Sequence, residues 1–307
     1  MSTTSTKRTE RRDEWLQRVR SIQSWQSGGL RAPHKPLLLL FALGHLQRSG
    51  NAAVAFSEAA GPLKGLLREY SPTGPALHPE YPFFYLQNDG LWQLDPPITV
   101  PPGRSPSAGR LRAAKAVGSL PAAFVEALRA DPVLFGAVVR HLLDHNFEPS
   151  LHEDICALAG VDLEAIEVAG LPTARVRDPA VRNAILAAYE YRCAVCGYEG
   201  QVKGQPVGLE AAHVRWWASG GPDVVENALC LCSLHHKLLD SGVLGLTDDH
   251  RLLVSMYFVA RSNAGQRMVL DLAGRNLLDP QRGQPRVLSD HIRWHTTQVF
   301  KAPARVH

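Results

Sequence analysis

Two short pairs of metal-type ligands, Cys193-x-x-Cys196 and Cys232-x-x-His235, most constrain what this chain can fold into. Each pair sets two soft or borderline donors on one tight turn, and a closed tetrahedral Cys3His site needs two such turns brought together. An ion held this way staples segments that are far apart in sequence and stabilises a domain with little apolar core of its own. The stretch is therefore expected to fold around a structural Zn2+. Cys230, two residues before Cys232, could compete as a ligand or fill the core as a small side chain; Cys156 has no partner at useful spacing and reads as core. Five cysteines in this pattern fit metal ligation in a reducing, cytoplasmic setting better than disulfides. The N-terminal residues lack the apolar stretch of a secretory signal, and the longest apolar run, Pro36 to Leu43, is far too short to span a bilayer. No membrane partner is expected.

At 307 residues the chain can hold two domains, each with its own core. Residues 1–10 are polar and read as disordered. From Asp13, apolar residues recur at helical spacing through Trp15, Leu16, Val19, Ile22 and Trp25, ending at Ser27-Gly28-Gly29. Leu37 to Leu46 is apolar nearly all round and reads as a core helix, with Pro36 in its first turn. Phe56 to Tyr70 reads as another helix. His78 to Leu86 looks strand-like, with Gln87-Asn-Asp-Gly90 as a hairpin turn before Leu91 to Leu94. A Pro-rich loop over 95–109 precedes two helices within Ala113–Asn146. Asp178-Pro179 starts a further helix that leads into Cys193. The expected organisation is a recognition domain over 10–155, a linker over 156–176, a zinc-stapled domain over 177–280 and a basic tail over 281–307. Net charge is +4, and both ends are basic: six Lys/Arg against three acids in residues 1–20, and five against Asp290 alone in 281–307. Such ends suit phosphate contact or simply form solvated termini.

A second polar set is interleaved with the zinc ligands: His213 in Leu209-Glu-Ala-Ala-His213-Val, Asn227 after Glu226, and His236 directly after His235. Phosphodiester hydrolysis needs a base to activate water, a cation to take up charge on the leaving oxygen, and a fixed geometry between them. Histidine titrates near neutral pH, so His213 suits the base. Alone, His213 would be an ordinary buried histidine and His236 an accident of a His-His pair; their joint placement around zinc ligands points to chemistry. Over about residues 176–246 the order and spacing resemble the HNH, or ββα-metal, nuclease family. The resemblance implies two antiparallel strands and a helix, with His213 on the first strand, Asn227 orienting the loop, and His236 ligating a catalytic Mg2+ or Mn2+. Many members of that family place Asp or His directly before the base as a second metal ligand, and here that position is Ala212. Glu210 shares a strand face with Ala212 and could supply the carboxylate; Asp223 and Asp240 are weaker candidates.

In the first domain, Arg31-Ala-Pro-His34-Lys35-Pro36 sets three potential cations at the start of the leucine helix, where free N–H groups favour an anion. Tyr81-Pro82-Phe-Phe-Tyr85 adds an aromatic surface. Together these segments resemble the sulfur-binding domain fused to HNH modules in McrA-type restriction enzymes, over about residues 10–150. The resemblance implies recognition of phosphorothioate DNA, in which sulfur replaces a non-bridging phosphate oxygen. Sulfur is softer and less strongly hydrated than oxygen, so an apolar cup costs less to fill with it. Tyr81, Pro82 and Tyr85 would form the cup, His34 and Lys35 would neutralise the phosphate, and Arg31, Arg104 or Arg110 would reach phosphates or a guanine edge. The expected whole is an α+β protein: a helix-rich recognition domain with a small sheet, and a zinc-stapled ββα-metal nuclease domain. It would act on modified double-stranded DNA as a type IV-like restriction endonuclease, possible as a homodimer for cutting both strands. A reader of methylated bases or plain sequence, and a non-catalytic DNA-binding protein, are the alternatives.

Overall fold

A computed structural model describes residues 2–23, 26–27, 30–71, 77–168 and 179–305. The chain divides into two compact units, Met1–Asn146 with His152–Ala174, and Phe147–Leu151 with Arg175–His307.

In the first unit, α1 (Ser2–Arg20) starts well before Asp13, so residues expected to be disordered are helical. Its Trp15, Leu16 and Val19 are buried, and Trp15 stacks on Phe124 at 4.6 Å. Trp25, expected to continue this pattern, lies outside the described residues. A two-residue ribbon, β1 (Gln26–Ser27) with β2 (Leu30–Arg31), leads into α2 (His34–Ser49). Here Pro36 sits in the first turn and Leu37 to Leu40 are fully buried, because the helix is surrounded by α3 (Phe56–Tyr70), α4 (Glu80–Tyr85) and the later helices Pro132–Asp144 and His152–Ala159. Three short strands form an antiparallel sheet in the order β3 (Ala53–Ala55), β5 (Val117–Ser119), β4 (Gln93–Asp95). After α5 (Ala108–Ala113) and β5 come α6 (Ala122–Ala130) and α7 (Pro132–Asp144). Asp131 caps α7 by accepting from Val133 N–H at 3.1 Å, with Pro132 at the first helical position where no N–H is needed.

The aromatic stretch 78–86 is the main departure from the expected strands. It forms α4 and a 3-10 turn, Leu86–Asp89, closed by Gly90 at φ 69°, and β4 pairs with β5 rather than back onto it. Pro79 and Pro82 both fall where a helix start tolerates a missing N–H. Phe83 and Leu86, three residues apart, then point the same way into the core, with Phe83 edge-on to Phe56 at 5.0 Å and Trp92 at 5.4 Å. Burial at helical spacing outweighs the strand preference of the individual rings. Residues 156–168, read as linker, also belong to this unit as parts of α8 (His152–Ala159) and α9 (Leu163–Val168).

The second unit opens with α10 (Pro179–Ala188); Asp178, its expected cap, lies outside the described residues. A small ribbon, β6 (Gln201–Val202) with β7 (Gln205–Pro206), follows the first cysteine turn. The centre is β8 (Leu209–His213) antiparallel to β9 (Ala228–Cys232), followed at once by α11 (Ser233–Asp240). This is the expected strand, loop, strand and helix. A second ribbon, β10 (Leu244–Leu246) with β11 (Leu252–Val254), extends the core, followed by α12 (Asn263–Met268). Residues 281–307, expected as a tail, contain α13 (Ser289–Gln298), which packs on β10 and buries Ile292 and His295.

Candidate functional site

The cysteine turn after α10 is tied to β9 by Ala194 N–H donating to Cys230 O at 2.8 Å. Cys193, Cys196, Cys232 and His235 thereby bring their donor atoms within 4.8 Å of one another. His235 Nδ1 lies 3.1 Å from Cys232 Sγ and 3.6 Å from Cys193 Sγ. The edge of a tetrahedral zinc site with one sulfur and one nitrogen is about 3.5 Å, so the set fits that ion. Hydrogen bonds from Cys196 and Cys232 and, against the effect of burial, from His235 hold the Cys193 thiol far below its ordinary range. The other ring nitrogen of His235 is 3.0 Å from Met268 O, the outer contact that fixes a metal-bound imidazole. Cys230 stays out of the cluster. It and Cys156 are buried, and burial pushes both thiols up to about 12.

His213 ends β8, almost fully buried, with Nε2 2.9 Å from Asp223 Oδ1. Asp223 retains a side-chain exposure of 28% and so opens this pair toward solvent. Asn227 ends the β8–β9 loop and is wholly enclosed. Its Oδ1 accepts from Arg215 N–H at 2.8 Å, and its Nδ2 donates to Arg215 O at 2.9 Å and Pro222 O at 2.8 Å. Val214 N–H donates to Asn227 O at 2.8 Å, closing the base of the loop that follows His213.

On the neighbouring face, Glu210 reaches α11. Its Oε2 is 2.5 Å from His236 Nδ1 and its Oε1 accepts from the Ser233 hydroxyl at 2.6 Å. His236 Nε2 stands 3.1 Å from Asp240 Oδ2, an ion pair one helical turn along α11. The bond from His236 and, against burial, the one from Ser233 hold the Glu210 carboxyl down at about 2. Burial works against charge on His236, but Asp240 and Glu210 outweigh it and raise the ring to about 10. Burial likewise opposes a charged Asp240, and the His236 ring beside it wins, keeping the carboxyl below its usual range. A carboxylate oxygen beside an imidazole nitrogen, with a second carboxylate on the far side of the ring, is a donor set suited to a divalent cation. Among the described residues, Glu210 and His236 could hold such an ion, with Asp240 on the far side of the ring.

Ala212 is fully buried opposite Leu229, so no ligand stands directly before His213. The role of Asp240 as partner of His236 could have been read from their four-residue spacing on one helix. The contact of Ser150 with Asp240 has no such signal; the two are 90 positions apart.

In the first unit the recognition candidates are only partly assembled. The Arg31 side chain lies outside the described residues. His34 was expected to be a cation, but burial, with help from the nearby His78, lowers it to about 4, so it is neutral at physiological pH. Lys35 is committed to Asp89 at 2.6 Å, both side chains being largely enclosed. Tyr81 stacks on His78 at 4.4 Å and meets Tyr85 edge-on at 6.4 Å, while Pro82 is buried. Arg104 and Arg110 are exposed, and Arg110 also donates to Thr99 O at 3.1 Å.

Residues 12–164 match the family described as ScoMcrA-like, DNA sulfur-binding domain, and residues 193–247 match the family described as HNH endonuclease. Among solved structures, the sulfur-binding domain of SprMcrA complexed with phosphorothioated DNA is 22% identical, covering 50% of this chain and 96% of that one, with a TM-score of 0.44. The modification-dependent restriction endonuclease TagI is 30% identical over 42% of this chain and 41% of its own, with a TM-score of 0.29. The Type IV phosphorothioation-dependent restriction endonuclease ScoMcrA is 23% identical, with 57% of this chain and 34% of that chain covered and a TM-score of 0.42. No curated protein matches this sequence.

Proposed function

We infer that this chain, which joins a ScoMcrA-like DNA sulfur-binding domain to an HNH endonuclease domain, is a modification-dependent restriction endonuclease. It recognises phosphorothioated duplex DNA with its first unit and hydrolyses the backbone with its second. The observation that carries the reading is that, beside a Cys3His set able to hold zinc, a buried His213 paired with Asp223 and a Glu210–His236 pair lie on adjacent elements of one ββα unit.

Zn2+ held by Cys193, Cys196, Cys232 and His235 would have protein donors at all four positions and so would serve the fold. Glu210 and His236 would hold the catalytic Mg2+ or Mn2+, which would supply positive charge to the phosphate and the leaving oxygen. His213 takes the proton from the attacking water, and the Asp223 carboxylate offsets the charge that then develops on its ring. Asn227 keeps the loop after His213 closed, so base and cation side stay in one geometry. In the first unit Tyr81 and Tyr85 offer the less polar wall for sulfur, Pro82 backs them from within, and the exposed Arg104 and Arg110 are cations for phosphate. His34, being neutral, contributes a hydrogen bond rather than charge, and Lys35 contributes while tied to Asp89.

The test is digestion of phosphorothioated and unmodified plasmids of one sequence with Mg2+ or Mn2+, using wild type, His213→Ala and Tyr81→Ala. His213→Ala should bind modified DNA normally and not cut it, while Tyr81→Ala should lose the preference for sulfur. Equal wild-type affinity for both DNAs removes sulfur recognition, and cutting by His213→Ala removes the assigned base.

A further inference from the structure

Residues Phe147–Leu151 belong to the nuclease unit although the chain on either side of them belongs to the other. The segment is held firmly: Phe147, Glu148 and Leu151 are almost completely buried. Glu148 Oε1 accepts from Trp217 N–H at 2.8 Å, on the loop that leaves His213. On the other flank, Lys237 Nζ donates to Ser150 O and the Ser150 hydroxyl donates to Asp240 Oδ2. The segment thus touches both sides of the candidate site, the loop after the base and the helix that carries His236.

The Ser150 contact bears on chemistry because of where Asp240 stands. The Asp240 side chain is 0% exposed, and the same Oδ2 that accepts from Ser150 faces His236 Nε2 at 3.1 Å. Its other oxygen, Oδ1, is buried with no hydrogen-bond partner among the described residues. The orientation of this carboxylate is therefore set by Oδ2 alone, through Ser150 on one side and His236 on the other. An imidazole that ligates a metal through one nitrogen keeps its aim through what the other nitrogen touches. Loss of the Ser150 hydroxyl leaves a buried carboxylate short of a donor and free to turn, and His236 with it.

We propose that Ser150 is a positioning residue for the divalent cation held by Glu210 and His236, so that the nuclease site is completed by a segment from outside the HNH stretch of the sequence. The proposal rests on the reading of His236 as a ligand of that cation. Metal is not required for the contact itself, but the aim of the ring should appear in metal affinity.

The experiment is a Mn2+ titration of the full-length protein without DNA, with free Mn2+ followed by electron paramagnetic resonance and with zinc content and thermal unfolding measured on the same samples. Wild type should show one Mn2+ site that His236→Ala lacks. Ser150→Ala should keep its zinc and bind Mn2+ about tenfold more weakly, as expected for one hydrogen bond to a charged group. Ser150→Thr and Ser150→Val match in shape and differ by the hydroxyl; the threonine variant should bind Mn2+ close to wild type and the valine variant should not. These two decide the matter should the alanine variant fail to fold. A wild-type site that is present but indifferent to Ser150, or threonine and valine variants of equal affinity, overturns the role of Ser150 alone. Absence of any His236-dependent site in wild type overturns the metal reading and this proposal together.

Discussion

Asn227→Asp distinguishes a loop brace from a metal ligand, because it replaces the amide NH2 by a carboxylate oxygen with almost no change in volume. The side chain is fully enclosed and its three hydrogen-bonding groups are spent on Arg215 N–H, Arg215 O and Pro222 O, at 2.8, 2.9 and 2.8 Å. Aspartate can still accept from Arg215 N–H, but it turns an oxygen toward two carbonyl oxygens that formerly received N–H groups. Two net bonds at about 1 kcal/mol each are lost, and leaving their buried acceptors unpaired adds about 1 kcal/mol or more. A buried carboxylate facing two carbonyl dipoles adds a further penalty. The loop after His213 should thus lose at least about 3 kcal/mol, enough to displace it, and a displacement of about 1 Å can cost roughly a hundredfold in rate. Single-turnover cleavage across a Mg2+ series, with urea unfolding alongside, is the assay. The expected result is a rate about a hundredfold lower at every Mg2+ concentration, with zinc retained. Were Asn227 instead a ligand of the cation, the harder carboxylate would serve as well or better. An aspartate variant that cuts like wild type, or regains the rate at high Mg2+, refutes the brace.

Gly221→Ala should act on the same loop without touching any chemistry: a methyl group there would stand 1.9 Å from Arg215 O and 2.8 Å from Asn227 Nδ2, so cleavage should fall sharply while DNA binding by the first unit persists. Cys193→Ser, or a strong chelator, should release the structural ion and unfold the nuclease unit at lower temperature; retained zinc with an unchanged melting profile would count against the cluster. Stability should also fall on mild acidification. His34 and His295 are each lowered by burial to about 4, so below the unfolded value near 6.5 the unfolded chain binds protons that the folded one refuses. Their contribution is complete above pH 6.5 and declines down to pH 4, by about 2 kcal/mol each at pH 5. In the second unit His236, raised to about 10, works in the opposite direction to His295, so the clear drop between pH 7 and pH 5 is expected in the denaturation midpoint of the first unit, and a first-unit midpoint that stays level would contradict the burial of His34.

The parts of this protein legible in the sequence are those in which spacing alone fixes geometry. Two x2 turns can close on one ion in few ways, and the ββα order is implied by the resemblance of His213, Asn227 and His236, in their order and spacing, to the HNH family. The same rule failed at 78–86, where five aromatic or leucine side chains suggested a strand. There the i, i+3 relation of Phe83 and Leu86 to the core, invisible until the core exists, selected a helix. Protonation was equally hidden: His34 beside Lys35 looks like a pair of cations, yet burial neutralises one and Asp89 occupies the other. Ser150 could not be found at all, since its partner Asp240 is reached only through the tertiary fold.

Under the proposed mechanism, the alanine at 212 shifts the ligand role to another position on the same strand face. The residue before the base is packed against Leu229 as core, which leaves that face of β8 without a donor at this level. The next residue on the same face is Glu210, about 6.7 Å back along the strand. Because α11 follows β9 directly after Cys232, which pairs with Leu209, the start of the helix lies beside this end of β8 rather than beside His213. Ser233 and His236, one turn apart, both meet Glu210 there, and Asp240, a turn further on, takes the far side of the ring. In the proposed mechanism Glu210 stands in for a carboxylate at 212, one pleat back and toward the element that carries His236. The groups that would hold the cation thus lie nearer the zinc end of the strand than a ligand at 212 would. Restoring a carboxylate with Ala212→Asp would put that group into the packed core opposite Leu229, at a cost in stability that its new position cannot offset.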